Sequence, residues 1–167
     1  MPIKYIEGNI ISSDEDVIIH GCNTKGKFGK GFAQVVRKNH PQAAELYDYH
    51  HKNNALVLGS VIWAFDKKLI GHALIQPTYG RPGTGQHISY KALRSALLSV
   101  KEAARNGVPG TKFKEGFQNI SMPLIGSNLG GGEWSEIENI IEDVLEDIKV
   151  SVYVLPGNKP SINELIR

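Results

Sequence analysis

The chain has a single cysteine, Cys22, in 167 residues. That excludes an intrachain disulfide and a zinc site built from cysteines, and a reducing setting is the simpler expectation. No apolar run approaches the ~20 residues of a membrane span. Met1-Pro2-Ile3-Lys4-Tyr5 carries no signal-peptide apolar stretch. The expected setting is therefore cytoplasmic, with no membrane partner. Charge of one sign is also scarce: a formal net charge of +2 is too small to argue for nucleic acid by itself. Repeats, low-complexity tracts and long linkers are missing, so one domain over 1–167 is expected, with a short tail after about residue 156. His40, His50, His51 and His72 show no spacing that demands a metal, and no metal or cofactor is expected.

Glycine is plentiful, with 18 residues, and much of it lies in two clusters. The apolar run Val17-Ile18-Ile19-His20 leads through Gly21-Cys22-Asn23 into Gly26, Gly29, Lys30 and Gly31. A helical pattern then runs from Phe32 to about Asn39. Strand, glycine loop and helix start recur after Ile120–Ile125, through Gly126-Ser127-Asn128-Leu129-Gly130-Gly131-Gly132, before a helix opening near Glu133-Trp134. Glycine lets backbone N–H groups approach an anion, and a helix N-terminus favours negative charge. Neither cluster is a Walker A loop, and the first fails the Rossmann spacing after Gly29-Lys30-Gly31. Two such loops at the carboxyl ends of parallel strands would face one crevice and suit a ligand with two phosphates.

The remaining pattern predicts strands at Ile3–Ile6, Val57–Phe65, Leu69–Gln76 and Val150–Leu155, with a hairpin turn at Asp66-Lys67-Lys68. Pro41 can open a helix continuing to Lys52, with Leu46 and Tyr49 on a shared face. Ser89 can cap a helix from Tyr90 to Arg105, and Ser135 to Lys149 carries the stripe Ile137, Ile140, Ile141, Val144 and Leu145. Val108–Gly116 reads as a mobile polar connection. The order favours α/β, a three-layer α/β/α sandwich around a mixed sheet.

The two loops and their order resemble the macro domain, an ADP-ribose-binding module. The matching segments are Glu7-Gly8-Asn9-Ile10, Cys22-Asn23, Gly29-Lys30-Gly31-Phe32-Ala33, and Met122-Pro123-Leu124-Ile125-Gly126 leading to Gly130-Gly131. The chain is most similar to the yeast-type ADP-ribose 1''-phosphate phosphatases, through His20-Gly21-Cys22-Asn23, the aromatic Phe28 and the run Lys38 to Ala43. Gln76-Pro77-Thr78 and Leu129-Gly130-Gly131 lack the lysine and aspartate of the branch that removes ADP-ribose from glutamyl side chains.

The resemblance implies that Gly8, Asn9 and Ile10 meet the adenine and that Asn23, beside Cys22, holds the distal ribose. It also implies that Gly29, Lys30, Gly31, Phe32 and Ala33 face Gly126, Ser127, Asn128, Leu129, Gly130 and Gly131 across the diphosphate. Each has a plainer reading: Asn9 and Asn23 can serve as turn formers, and Lys30, like Lys25 and Lys27, can point to water. Tyr79 can stack on the adenine or cover the ribose. His20 is the first choice for moving a proton and His87 the second. A lone histidine on an apolar strand is also a common core residue. Trp63 and Trp134 read as packing residues. The implied activity is release of the 1''-phosphate from ADP-ribose 1''-phosphate, with ADP-ribosylated macromolecules as further possible partners. Hydrolysis of ADP-ribose from protein or nucleic acid, deacetylation of O-acetyl-ADP-ribose and non-catalytic reading are the alternatives.

Overall fold

A computed structural model describes residues 3–79, 87–125 and 132–154. In chain order the elements are β1 (Lys4–Glu7), β2 (Val17–Asn23), α1 (Phe32–Asn39), α2 (Pro41–Lys52), β3 (Val61–Asp66), β4 (Lys68–Gln76), α3 (Tyr90–Asn106), β5 (Asn119–Met122), α4 (Trp134–Val144) and β6 (Lys149–Val154). The strands form one sheet in the order β1-β6-β5-β2-β4-β3. Every neighbouring pair is parallel except β3–β4, the hairpin whose tip is Lys67 at φ 64°.

Alternation along the strands builds two cores. Val17 and Ile19 of β2, with Leu69, Ala73 and Ile75 of β4, join the stripes of α3 and α4 on one face. Cys22, Ile70 and Leu74 join Val36 of α1 and Ala43, Ala44 and Tyr47 of α2 on the other. The expected three-layer α/β/α sandwich with a mixed sheet is therefore what the chain forms. Leu93, Ala96, Leu97 and Val100 are fully buried on α3, as their spacing predicts. The α3 N-cap is Ser89, whose Oγ accepts from Ala92 N–H at 3.1 Å.

Five expectations need correction. The helix expected from Ser135 to Lys149 ends at Val144, where Leu145 caps it, and Lys149 opens β6 instead. Strand β2 runs through His20 to Asn23, because its pairing with β4 continues to Cys22↔Leu74 and Asn23↔Gln76. Val57 and Leu58 are exposed and lie ahead of β3, which starts only after Gly59 at φ 88°. On α2 the buried face is Ala43, Ala44 and Tyr47, whereas Tyr49 is exposed. The segment 108–116, expected to be mobile, packs through Val108 and Phe113, with Phe113 edge-on to Phe117 at 6.3 Å. The tail after residue 156 lies outside the described residues.

Candidate ligand-binding site

The five mutually parallel strands end on one edge of the sheet, where open α/β sheets hold ligands. At this edge β1 delivers Gly8, Asn9 and Ile10, β2 delivers the loop from Thr24 to Gly31, and β4 delivers Pro77, Thr78 and Tyr79. Strand β5 leads through Ile125 toward Gly126–Gly131, which lie outside the described residues.

Asn23 organises the first loop. Its Oδ1 accepts from Lys25 N–H at 2.9 Å and Lys27 N–H at 3.2 Å, and its Nδ2 donates to the Lys27 carbonyl at 2.8 Å. The Tyr47 hydroxyl reaches over from α2, 2.7 Å from the Asn23 carbonyl and 3.1 Å from Oδ1. Gly26 N–H bonds back to the same phenol. Burial raises the Tyr47 pKa, so the group stays a neutral donor. Gly26 sits at φ 79° under His51, where an added Cβ would lie 2.4 Å from Nε2. Helix α2 is thus the template on which the loop is cast. Sequence reasoning missed Tyr47, which lies 24 residues from the asparagine it serves. Its only signal was its place one turn beyond Ala43 and Ala44.

Past Phe28 the loop opens. Phe28 is buried against Tyr47, with centroids 4.4 Å apart, and its carbonyl accepts from Arg37 Nε at 3.0 Å. Gly29, Lys30 and Gly31 are exposed, while Phe32 and Ala33 are half-buried. A Cβ built on Gly29 meets nothing within 4 Å, and Gly31 takes φ 60° to start α1. Lys25, Lys27 and Lys30 are all exposed here, and the Lys27 ammonium lies 5.6 Å from the centre of the Tyr79 ring. The arrangement offers bare backbone at a helix start, with cations around it, which is a place for an anion.

Asn9 is exposed, and its Oδ1 accepts from Ile11 N–H at 3.0 Å, closing a turn. Ile10 is buried. Gly8 N–H donates to the Val154 carbonyl at 2.9 Å and ties this turn to the end of β6. Tyr79 is 52% exposed, and His87 Nδ1 lies 3.0 Å from Thr78 Oγ1.

Cys22 and His20 fall elsewhere. Both side chains leave the α1/α2 face of β2 and are buried, His20 completely. The His20 ring lies among Phe28, Phe32 and His72, with Nε2 2.7 Å from His72 Nδ1. Burial, then His72, pushes its pKa down, while burial pushes the Cys22 thiol up. Trp134 is buried and Trp63 packs on Phe117, as expected of core aromatics.

The edge beyond the second loop is also fixed. Glu133 N–H donates to the Tyr90 hydroxyl at 3.0 Å, and Trp134 Nε1–H to the Tyr5 hydroxyl at 2.8 Å. Tyr5 donates in turn to Glu138.

No family model matches the chain. It is 28% identical over 166 residues to the ADP-ribose 1''-phosphate phosphatase of Lodderomyces elongisporus, covering 93% of this chain and 99% of that one. Identity to the bovine ADP-ribose glycohydrolase OARD1 is 26%, covering 92% and 91%. A macrodomain protein from Streptomyces coelicolor superposes with a TM-score of 0.66 at 28% identity, covering 91% and 98%. DarTG from Thermosipho africanus, solved in complex with ADP-ribose, matches at a TM-score of 0.74 and 21% identity, covering 99% of this chain and 46% of that one.

Proposed function

We propose that this chain, which has the macrodomain fold, binds ADP-ribose at the carboxyl edge of its parallel strands. We further propose that it releases the 1''-phosphate from ADP-ribose 1''-phosphate. The observation that carries the binding is the exposed Gly29-Lys30-Gly31 backbone at the start of α1, with Lys25, Lys27 and Lys30 around it. The yeast relative's name supports the phosphatase reading over nearly the full length of both chains.

In this reading the backbone N–H groups of 29–33 and of 126–131 hold the diphosphate. Asn9 lies at the adenine end, where Oδ1 keeps a second lone pair beyond the bond to Ile11. Asn23 acts chiefly by holding the loop, with Nδ2 left one N–H to offer the ribose. Water attacks phosphorus, the bond from phosphorus to the sugar oxygen breaks, and that oxygen takes a proton. Positioning and electrostatic stabilisation supply most of the acceleration.

His20 is reassigned from proton carrier to positioning residue. A ring with no exposed surface, held neutral by burial, is out of reach of a sugar phosphate. Its aromatic neighbours make it a floor under Phe28 and Phe32. His87, beside Thr78 at the end of β4, takes over as the proton carrier.

The bovine relative's name favours a second reading, hydrolysis of ADP-ribose from ADP-ribosylated macromolecules. One assay separates the readings. The protein is incubated with ADP-ribose 1''-phosphate and with ADP-ribosylated protein, and free phosphate and free ADP-ribose are followed. Phosphate release that His87→Asn abolishes without loss of ADP-ribose binding supports the first reading. ADP-ribose release alone supports the second, and binding without either release leaves a reader.

A further inference from the structure

His20 and Cys22 are two residues apart on β2, so both project from one face of the sheet. Strand β4 lies parallel beside it, and His72 is the register partner of His20. Residues 52 positions apart thus meet across one strand pair. His20 Nε2 lies 2.7 Å from His72 Nδ1, and Cys22 Sγ lies 3.7 Å from His20 Nε2. The ligand atoms of all three fall within 4.8 Å of one another. Exposure is 0% for both histidines and 4% for the cysteine. The rings of Phe28, Phe32 and Tyr47 wall the cluster off. His72 Nε2 lies 2.8 Å from the Ala43 carbonyl, which must accept, so this nitrogen carries the proton. The Nδ1 lone pair is therefore bare and faces the cluster. Metal-ligating histidines commonly carry such an outer hydrogen bond.

We propose that His20 Nε2, His72 Nδ1 and Cys22 Sγ form a three-coordinate site for a soft monovalent cation, copper(I). The donor set is right, because imidazole and thiolate together suit copper. The Sγ–Nε2 separation matches one edge: bonds of about 2.0 Å to nitrogen and about 2.3 Å to sulfur, opened to ~120°, separate the two atoms by about 3.7 Å. Because Sγ is equally 3.7 Å from Nδ1, the His20 ring must also turn to aim Nε2 at the shared ion. The two nitrogens must part by somewhat under ~1 Å to reach the same angle. Charge selects the valence. A thiolate and a monovalent cation sum to zero, whereas a divalent ion leaves a net positive charge in an apolar core. No carboxylate joins the three-residue group among the described residues. On binding, the thiol proton leaves to solvent and the His20 proton moves from Nε2 to Nδ1, so each cation displaces one proton. This site does not depend on the proposed nucleotide activity.

Without the cation the same atoms can link as a chain. Cys22 S–H then faces His20 Nδ1 at 3.7 Å, His20 Nε2–H donates to His72 Nδ1, and His72 Nε2–H donates to the Ala43 carbonyl. Folding therefore does not require the ion, and occupancy can be tested on soluble protein. The reduced 167-residue chain is titrated with copper(I) against a chromogenic copper(I) chelator under anaerobic conditions. One equivalent should be withdrawn from the chelator and the thermal midpoint should rise. Cys22→Ala and His72→Gln should each weaken uptake more than about tenfold. Equal uptake by Cys22→Ala, or preferential retention of zinc(II), would overturn the proposal. If either variant fails to fold, X-ray absorption of the loaded wild type decides. A shell of two nitrogens and one sulfur supports the site, and any other shell refutes it.

Discussion

Asn23 is gripped from several sides, by two backbone N–H groups, a carbonyl and a buried phenol. Removing the Tyr47 hydroxyl costs its bonds to the Asn23 carbonyl and Oδ1 as well as the Gly26 bond, while the ring stays packed on Phe28. Tyr47→Phe should destabilise the fold by about 2 kcal/mol. It should also speed amide exchange at Gly26 and lower ADP-ribose affinity several-fold, and hydrogen exchange with calorimetry checks both. An unchanged loop would show that Asn23 needs no outside anchor. Asn23→Ala strands Lys25 N–H and Lys27 N–H together and should cost about 2–3 kcal/mol by denaturant unfolding. His72 supplies a pH dependence. Burial lowers its pKa to about 4, so the folded state prefers the neutral ring, while the unfolded ring titrates near 6.5. The stabilisation is thus intact above about pH 6.5 and is lost as pH falls toward 4, on the order of 3 kcal/mol in all. His20, pushed down in the same direction, adds to it. Chelator-treated protein should unfold more readily at pH 4.5 than at pH 7, and His72→Gln should flatten that slope. At this scale the sequence showed residue types but not partners. Glycines 29 and 31 announce an exposed turn by themselves. Tyr47 and His72 act through neighbours 24 and 52 residues away, which only the folded sheet brings into contact.

Elements were legible where one periodicity ran unbroken. The stripes of α3 and α4 needed no tertiary information, because Leu93, Ala96, Leu97 and Val100, like Ile137, Ile140, Ile141 and Val144, recur at helical spacing and are buried. Reading failed where apolar residues serve no core. Val57 and Leu58 look like strand residues yet lie exposed before Gly59. Segment 108–116 looks polar yet folds back on α3. There Gly107 takes φ 90°, and an added Cβ would lie 1.9 Å from the Lys114 carbonyl. Gly107→Ala should therefore cost more than about 1 kcal/mol, read as a lowered thermal midpoint. Helix α4 is pinned at its start by Tyr5, which accepts from Trp134 and donates to Glu138. Tyr5→Phe should destabilise by about 1–2 kcal/mol. Because α4 follows the second glycine loop, the same change should weaken nucleotide binding; affinity at full stability would separate α4 from the site.

For the molecule as a whole, topology explains why the binding edge is where it is. Five parallel strands end together, and the single antiparallel strand, β3, sits at the far side of the sheet. The ends of β2 and β5, from which the two glycine stretches continue in sequence, are thereby neighbours. That β2 and β5 are parallel strands was readable from the strand–loop–helix repeat, whereas the wall that α2 builds behind the first loop was not. The described helices include none long and apolar enough to cross a membrane. Whether this edge holds ADP-ribose is decided by isothermal titration of the protein with the nucleotide. Saturable one-to-one binding is expected, with a dissociation constant on the order of 10 μM, weakened at least about tenfold for ribose 5-phosphate. Absence of heat or saturation at millimolar ADP-ribose would contradict binding at this edge.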